Sequence, residues 1–291
     1  MIITKLNGGL GNQLFQYALG KNLANLNKTI LKLDINRYQR KNSLRQYKLD
    51  NFNIIENFAT NKEIRKTKKF SSIPFLSKHR KEKGRNFDNS ILSTKDNSYL
   101  EGYWQSRKYF SSQGGSILDG KDIENIIRKE FTLKNQPSES LNKLNKKISE
   151  FGDNSVALHI RHGDYSNNPK AGRRHTVLPL KYYKKALKVI SNKILDPYFF
   201  VFSDDIEWCK ENFKKIENNY FVDDKNLQDY EALIAISKCK HQIIANSSFS
   251  WWGAWLNQNP NKIVITPDQW YNNLKVNMDD RLPKNWIKVN F

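Results

Sequence analysis

The chain has 291 residues, of which 38% are hydrophobic and 12% aromatic. This is enough for one large domain or two ordinary ones, and too apolar for wholesale disorder. Its 49 basic and 29 acidic residues give a net charge of +20. The excess predicts an anionic partner, which can be nucleic acid, a membrane surface or a phosphorylated small molecule, unless it reflects only a lysine-rich solvated surface.

The two cysteines, Cys209 and Cys239, lack metal-ligand or CxxC spacing. This usage suits a reducing compartment and argues against a disulfide framework. The first residues lack the pattern of a secretion signal, and no apolar run reaches the roughly 18 residues that a membrane span needs. We therefore expect a cytoplasmic protein, attached through its charge at most loosely to the inner membrane face.

The first part of the chain begins like a βαβ unit. Strands are predicted over 2–6 and 29–34, with a glycine-rich turn and an amphipathic helix between them. From 36 to 95 charged and apolar residues mix without a clear period, and we predict helices and loops there. A strand over 99–104 and a helix over 122–131 follow.

A polar stretch, 133–140, is interrupted by Pro137 and leads into a lysine-rich helix near 141–149. Such composition is typical of a domain boundary. We therefore predict one domain over residues 1–150 and a second over 151–291, with the C-terminal tail packing back on the first domain.

The second half is more regular, with near-continuous apolar strands alternating with helical patterns. This alternation predicts an α/β fold with a parallel sheet covered on both faces. In such sheets ligands bind beyond the carboxyl ends of the strands. The strands are predicted at 156–160, 198–203, 220–223, 241–246 and 262–267.

The segment NGGLGNQ, residues 7–13, lies between the first strand and helix. Gly8, Gly9 and Gly11 let the backbone turn tightly and approach a ligand, and the helix N-terminus offers N–H groups to an anion. The spacing matches neither a Walker A loop nor GxGxxG. Taken alone, the segment is more simply explained as an ordinary tight turn.

The segment HIRHGDY, residues 159–165, follows the predicted strand 156–160. Arg161 suits a diphosphate because its planar guanidinium makes paired hydrogen bonds and stays charged. Asp164 can orient that guanidinium. The alternative is a surface salt bridge beside a strand.

The segment NSSFSWWGAWL begins at Asn246, where a strand is predicted to end. Ser247 or Ser248 can cap the next helix, whose N-terminus forms a second anion-binding position. Core packing is the more ordinary role for tryptophans at helical spacing, as in Trp251, Trp252 and Trp255.

The strand ending in FSDD carries Asp204 and Asp205, which favour either capping of the next helix or contact with a ribose or base. Further on, Asp229 and Glu231 open a helix, where a carboxylate can accept the N1 and N2 hydrogens of guanine. The sequence shows no Ser-His-Asp set, HExxH or zinc-ligand spacing, so a nucleophilic hydrolase or metalloenzyme is unsupported.

Five blocks occur in order: NGGLGNQLFQYALG, YLEGYWQSRKYF, LHIRHGDY, FFVFSDD and CKHQIIANSSFSWWGAWLN. Together they resemble glycosyltransferase family 11, the α-1,2-fucosyltransferases of bacterial O-antigen and capsule synthesis and of animal blood-group synthesis. The resemblance runs from Ile2 to about Trp270. It implies a GT-B-like fold of two Rossmann-like domains facing a cleft, with the domain over 1–150 on the acceptor side and the GDP-sugar held mainly by the domain over 151–291.

The resemblance also implies GDP-β-L-fucose as donor, a galactose-terminated oligosaccharide or lipid-linked glycan as acceptor, inversion at the anomeric carbon and no metal or other cofactor. The family's HxRxxD motif falls on His159, Arg161 and Asp164, with Arg161 as the diphosphate ligand. Asp164 is carried over as a further catalytic residue. The predicted donor-binding residues are His159, Arg161, Asn246, Ser247, Ser248, Phe249, Gly9, Gly11, Asn12, Asp204, Asp229 and Glu231, and the acceptor-side residues are Glu101, Tyr103 and Trp104.

Two positions depart from the family pattern. Many members carry a second Arg where this chain has His162, and many carry Asp where it has Glu101. The general base remains unassigned, with Asp34, Glu101 and Asp164 as candidates. The alternatives are another GDP-deoxysugar donor or a non-galactose acceptor on the same scaffold and, more distantly, a non-catalytic glycan- or nucleic-acid-binding protein. The dispersed basic residues argue against the last.

Overall fold

The computed structural model describes residues 1–69, 78–111, 123–163, 176–272 and 276–291. The chain forms two compact units. Unit 1 comprises Met1–Asn135 and Asp279–Leu282, and unit 2 comprises Gln136–Met278 and Pro283–Phe291. In the described part of the chain, no helix is long and apolar enough to cross a membrane.

Unit 1 contains a parallel sheet whose described strands run in the order β2-β1-β4-β3. The predicted strands 2–6 and 29–34 are confirmed with slightly shorter bounds. The short polar strand β3 lies within 36–95, where only helices and loops were predicted, because edge strands of three residues carry no apolar pattern. The elements are β1 (Ile2–Lys5), α1 (Leu10–Leu26), β2 (Leu31–Asp34), α2 (Asn61–Lys68), β3 (His79–Lys81), β4 (Ser98–Glu101) and α3 (Ile123–Glu130).

The helix α1 is buried on nearly every side, and not on one face as its pattern predicts. Its inward polar side chains bond to the backbone: the Gln16 amide donates to the Gly102 carbonyl at 2.9 Å and the Asn22 amide to the Tyr109 carbonyl at 2.8 Å. Because these groups keep hydrogen-bond partners, their burial carries little of the usual desolvation cost.

Unit 2 contains a second parallel sheet, in the described order β10-β9-β8-β5-β6-β7. The α/β prediction with parallel sheets is confirmed. The elements are α4 (Glu139–Glu150), β5 (Ser155–Ile160), α5 (Leu180–Ser191), β6 (Tyr198–Ser203), α6 (Ile206–Phe213), β7 (Asn219–Phe221), α7 (Asp229–Lys238), β8 (His241–Ile243), α8 (Ser248–Leu256), β9 (Val264–Pro267) and β10 (Ile287–Val289).

Strand β5 lies between β8 and β6, and every residue of it is buried. Its apolar side chains pack with Tyr182 and Ile190 of α5 and with Phe213 of α6 in one hydrophobic core. A buried central strand with neighbours on both sides is rigid. The residues that directly follow β5, β6 and β8 are therefore held close together at one edge of the sheet.

The division between the units falls after Asn135, one helix earlier than the predicted boundary at 150. The difference arises because α4 belongs to unit 2, where the Ser138 amide that precedes it donates to the Glu231 carboxylate at 2.9 Å. Of the C-terminal residues, Asp279–Leu282 belong to unit 1, while Pro283–Phe291 belong to unit 2 and add β10 to its sheet. The acceptor and nucleotide roles assigned to the two domains remain predictions.

Candidate active site

Arg161 follows β5 directly, and Asp204 follows the neighbouring strand β6. The Arg161 Nε lies 3.4 Å from Asp204 Oδ2, and the two side chains are only 22% and 19% exposed. Asp204 Oδ1 also accepts the backbone N–H groups of His162 at 2.9 Å and Gly163 at 3.3 Å. Asp204 therefore orients the guanidinium and fixes the loop that carries it.

That orienting role was predicted for Asp164, which lies outside the described residues. Asp204 was predicted only to cap a helix or to contact a ribose or base. Its pairing with Arg161 depends on the strand order that the structure supplies, because the ends of adjacent parallel strands meet at one edge.

His162 is held by α6. Its Nδ1 lies 2.9 Å from Asp205 Oδ2, and its ring stacks on the Trp208 indole. Asp205 Oδ1 accepts the Trp208 amide at 3.2 Å, which makes Asp205 the N-cap of α6. The capping interpretation of the FSDD segment is therefore confirmed for Asp205. The contacts of Asp205 and Trp208 with His162 were not predicted, because residues on different elements form no shared sequence pattern.

His159 is buried, with 4% of its surface exposed. Burial first, and the Arg161 charge second, lower its pKa to about 3, against the opposing effect of Asp204. The imidazole is therefore neutral at physiological pH. Its ring lies 5.6 Å from that of Phe249, and within the described part of the chain its buried Nδ1 has no hydrogen-bond partner.

The N-terminus of α8 lies beyond β8, the other neighbour of β5. Ser247 caps the helix by accepting the Phe249 amide at 3.3 Å. The Asn246 amide nitrogen donates to the carbonyls of Thr176 at 2.7 Å and Trp270 at 3.1 Å, so Asn246 holds the turn before the helix. The helix N-terminus, with Ser248 in its first turn, provides backbone N–H groups and a partial positive charge for an anion.

The tryptophans of α8 are core residues, as the more ordinary interpretation predicts. Trp251 and Trp252 are fully buried and Trp255 nearly so. The Trp251 ring also lies 5.7 Å from that of Trp286. This packing fixes the position of the helix N-terminus, because a rigid apolar helix cannot shift without losing buried aromatic contacts.

The two carboxylates at the start of α7 have different environments. Glu231 is buried, and its oxygens accept the backbone N–H groups of Ser138 at 2.9 Å and Gln228 at 3.2 Å. Its predicted contact with guanine has no support here, because both oxygens already bind backbone. Asp229 is exposed and accepts the Tyr230 amide at 2.9 Å. A nucleotide contact by Asp229 remains a prediction.

The glycine-rich segment belongs to unit 1. Gly8 has a φ of +87°, its carbonyl accepts the Tyr38 hydroxyl at 3.0 Å, and Gly9 precedes the first turn of α1. Gly11 and Asn12 lie in that turn, and Asn12 accepts a hydrogen bond from the Gln105 amide. The tight turn is therefore present. The donor-binding roles of Gly9, Gly11 and Asn12 remain predictions.

Polar side chains also collect at the carboxyl edge of the unit 1 sheet. Glu101, at the end of β4, accepts from Lys5 at 2.6 Å and pairs with His79 at 2.8 Å. Burial opposes its ionisation, but the hydrogen bonds and charges of Lys5 and His79 lower its pKa overall. Glu101 is therefore an ionised, paired carboxylate and a weak general base.

Asp34, another candidate base, is 6% exposed. Its oxygens accept the Tyr99 hydroxyl at 2.6 Å and the backbone N–H of Asn36 at 3.1 Å. These bonds place Asp34 in the framework of the sheet edge. Neither Asp34 nor Glu101 resembles a base that is free to take a proton from an acceptor.

Of the two predicted aromatic residues on the acceptor side, only Tyr103 is exposed, at 41%. Its hydroxyl accepts the Asn7 amide at 3.1 Å. Trp104 is 1% exposed and lies edge-on against Tyr109, so its ring is core and direct stacking of Trp104 on a sugar has no support. Glu82, which was not predicted because it lies within a charged stretch, accepts the backbone N–H groups of Tyr103 and Trp104 at 2.8 and 2.9 Å.

The described residues contain no group of three or more His, Cys, Asp or Glu side chains placed to hold a metal ion. The arrangement in unit 2 is instead suited to an anion: a guanidinium oriented by a carboxylate, beside the N-terminus of a helix.

The family model for glycosyl transferase family 11 matches residues 1–290. The chain belongs to this family. It is therefore a glycosyltransferase, and the resemblance found in the sequence is confirmed.

Among curated relatives, family 11 members of Escherichia coli span the whole chain. An alpha-1,2-colitosyltransferase is 32% identical, covering 99% of both chains. The O-antigen biosynthesis glycosyltransferase WbnK is 33% identical, covering 98% of this chain and 99% of its own. Among solved structures, the fucosyltransferase NodZ from Bradyrhizobium superposes with a TM-score of 0.50 at 11% identity, covering 87% of this chain and 92% of NodZ. This likeness confirms the GT-B-type fold class.

Proposed function

We propose that this family 11 enzyme transfers a 6-deoxy-L-galactose-type sugar, L-fucose or its 3-deoxy counterpart colitose, from GDP to the 2-hydroxyl of a galactose-terminated glycan. The product belongs to a surface polysaccharide such as O-antigen or capsule. The relatives named for colitosyl transfer and for O-antigen biosynthesis match over nearly the full chain, which supports this choice of donor class and product. A NodZ structure that superposes with a TM-score of 0.51 was co-crystallized with GDP, which is consistent with a GDP donor.

The observation that carries the proposal is the convergence of Arg161, Asp204 and the N-terminus of α8 at one edge of the unit 2 sheet. When the bond between the sugar and GDP breaks, negative charge develops on the terminal phosphate. Arg161 and the backbone N–H groups of α8 supply positive charge at fixed positions, which lowers the barrier without reorganisation.

The neutral His159 supports this electrostatic arrangement. A protonated imidazole would compete with Arg161 for Asp204, but burial keeps the ring uncharged. Asp204 therefore pairs with the guanidinium and not with a second cation at position 159. We propose that the acceptor hydroxyl attacks from the face opposite the diphosphate, so that the anomeric configuration inverts.

We propose further that no metal ion takes part, and that the reaction occurs on the cytoplasmic side. The two cysteines are both free and buried, which suits a reducing compartment. The Arg161 guanidinium and the N-terminus of α8 support this proposal, because they can offset the negative charge of the diphosphate in place of a metal ion.

The test is product formation from GDP-fucose and from GDP-colitose with a panel of β-galactosides in the presence of EDTA, comparing the wild type with Arg161→Ala. Transfer in EDTA that disappears in the variant supports the donor class, the metal independence and the role of Arg161. Binding of GDP without transfer of either sugar would show that the donor or acceptor is wrong. If the folded protein neither binds GDP nor transfers a sugar, the proposal is overturned.

A further inference from the structure

A surface loop of unit 1, residues 36–48, follows β2 and contains basic residues without a single acidic one. We call it the basic loop. Arg37, Arg40 and Lys41 are exposed to solvent. Together with Arg45 and Lys48 they place five cations in 13 residues, a local excess of the kind that binds anionic surfaces.

An exposed leucine lies in the middle of this charge. Leu44 is 96% exposed, the most exposed of the large hydrophobic residues described. A single exposed apolar side chain is ordinary on a protein surface. Here, however, Leu44 lies between Lys41 and Arg45 in the chain, so an apolar side chain is exposed to water within a strongly basic segment.

The basic loop is held in place and does not depend on a ligand for its shape. The Tyr38 hydroxyl donates to the Gly8 carbonyl at 3.0 Å, and the Gln13 amide donates to the Gln46 carbonyl at 2.8 Å. At its end the Lys48 amide donates to Gln13 Oε1 at 3.0 Å. The cations are therefore presented by an ordered backbone, which reduces the entropy lost on binding.

The helix α2 extends the same positive surface. The side-chain amide of Asn36 donates to Asn61 Oδ1 at 3.0 Å, which joins the basic loop to the start of α2. The inward positions of the helix are Ile64 and Thr67, and its exposed positions include Lys62, Arg65 and Lys66. Its one acidic residue, Glu63, is paired with Lys32 at 2.6 Å. This neighbouring carboxylate therefore does not cancel the charge of the loop.

We propose that the basic loop is a docking surface for an anionic lipid bilayer, with Leu44 entering the interface between headgroups and acyl chains. The cations match phosphate-bearing headgroups, and a bilayer offers the apolar environment that removes Leu44 from water. Nucleic acid would use the charge but leave this leucine unexplained, since stacking on bases requires exposed aromatic rings. The tyrosines of the loop, Tyr38 and Tyr47, are half-buried.

Docking through the basic loop would place the glycine-rich segment, residues 7–13, near the membrane surface. Gln13 and Gly8 bond to the basic loop directly. Bilayer contact at residues 36–48 therefore brings the start of α1 close to the lipid surface, because α1 contacts the basic loop directly. An acceptor glycan carried on a lipid would be presented to unit 1 at that surface.

The experiment measures partition of the full-length protein onto sedimented vesicles of phosphatidylcholine alone and with increasing phosphatidylglycerol. The wild type is compared with the triple variant Arg37→Ser/Arg40→Ser/Lys41→Ser and with Leu44→Ser. Matched controls are Lys193→Ser/Lys214→Ser/Lys215→Ser, which removes the same charge from exposed positions of unit 2, and Leu195→Ser, which removes another exposed leucine. Thermal melts confirm that each variant folds.

We expect binding that requires phosphatidylglycerol and weakens with salt. The loop triple variant should lose about 100-fold in partition, from roughly a fivefold effect per cation near the surface. Leu44→Ser should lose about 10-fold through the lost apolar contact. The two controls should change partition less than about threefold, because general charge and apolarity act weakly at a distance.

Three results would overturn the proposal. One is equal binding to neutral and anionic vesicles, and another is an equal loss for the loop and control triple variants. The third is release of the protein by inorganic pyrophosphate or a short oligonucleotide with no effect of Leu44→Ser, which would assign the loop to a soluble phosphate ligand or to nucleic acid. None of these measurements requires sugar transfer, so they stand apart from the proposed function.

Discussion

The imidazole of His162 stacks on the indole of Trp208, with ring centroids 4.1 Å apart and planes inclined by 11°. The contact joins the loop after β5 to α6, the helix after β6. The stacking therefore restrains the side chain of the residue next to Arg161, while Asp204 binds the backbone of His162 and the Arg161 guanidinium. His162 departs from the arginine that the family resemblance leads us to expect at this position, and it contacts its neighbours through packing and a hydrogen bond to Asp205.

The stacking contact predicts a graded effect of substitutions at His162. We expect His162→Ala to raise the KM for the GDP-sugar by about 10-fold, because an aromatic pair contributes about 0.5–1.5 kcal/mol to fixing the loop. His162→Phe keeps the stacked ring but loses the bond to Asp205, and should retain most of the affinity. Steady-state kinetics with varied donor provide the comparison. Equal behaviour of the Ala and Phe variants would show that stacking is unimportant.

Arg161→Ala should lower kcat/KM by about 10²–10³, the usual effect of removing one donor from a site of developing charge. Arg161→Lys should recover only part of this, since an ammonium cannot reproduce the planar, paired geometry of a guanidinium. The matched control is Lys210→Ala on α6, a cation that pairs with Glu207 and Asp223. If Lys210→Ala is as damaging as Arg161→Ala, general charge and not the site explains the loss.

Alanine substitutions at two adjacent glycines of the glycine-rich turn should affect stability differently. Gly8 has a φ of +87°, and a Cβ there would lie 2.5 Å from Asn12 Nδ2. Gly8→Ala should lower the free energy of unfolding by about 1–2 kcal/mol or more, since the left-handed conformation alone costs an alanine that much. Gly9 has ordinary backbone angles, and a Cβ there would meet no other atom within 4 Å.

Gly9→Ala should therefore change the free energy of unfolding by less than about 0.5 kcal/mol, because the weaker helix cap and the stiffer unfolded chain nearly cancel. Denaturant unfolding of both variants beside the wild type measures the difference. Similar destabilisation by the two substitutions would contradict the assignment of Gly8 as the conformationally restricted position.

The buried His159 predicts a loss of stability in mild acid. Its folded pKa is lowered from 6.5 to about 3, first by burial and then by the Arg161 charge. Below about pH 6.5 the unfolded chain binds a proton that the folded protein excludes, so this contribution to stability falls as the pH drops towards about 3. At about pH 5 the loss amounts to roughly 2 kcal/mol.

Unfolding measured between about pH 7 and pH 5 in wild type and His159→Phe tests this linkage. Phenylalanine fits an apolar position beside Phe249 and cannot titrate, so the variant should show a shallower decline than the wild type. Parallel pH profiles for the two proteins would mean that His159 is protonated in the folded state as readily as in the unfolded chain.

The periodicity of the sequence was sufficient to predict most of the scaffold. The buried strands β1, β5 and β6 are dominated by apolar residues. The helix α5 carries a clear apolar repeat, with buried residues at helical spacing from Tyr182 to Ile190. Prediction was poorest where the pattern is weak. YLEGYW was predicted as a strand over 99–104, but β4 ends at Glu101 and Trp104 adopts a φ of +55°, because the Glu82 carboxylate binds the backbone of Tyr103 and Trp104.

The sequence by itself determined the α/β class and the family, since these depend on local periodicity and on residues grouped in short segments, and it supplied Arg161 as the candidate diphosphate ligand. Only the tertiary structure decided which carboxylate meets which cation. Asp204 reaches Arg161 because β6 lies beside β5, and Glu231 accepts the backbone N–H of Ser138 because α4 begins beside α7. Such partners are about 40 to 90 positions apart in the chain, and local pattern carries no information on contacts over that separation.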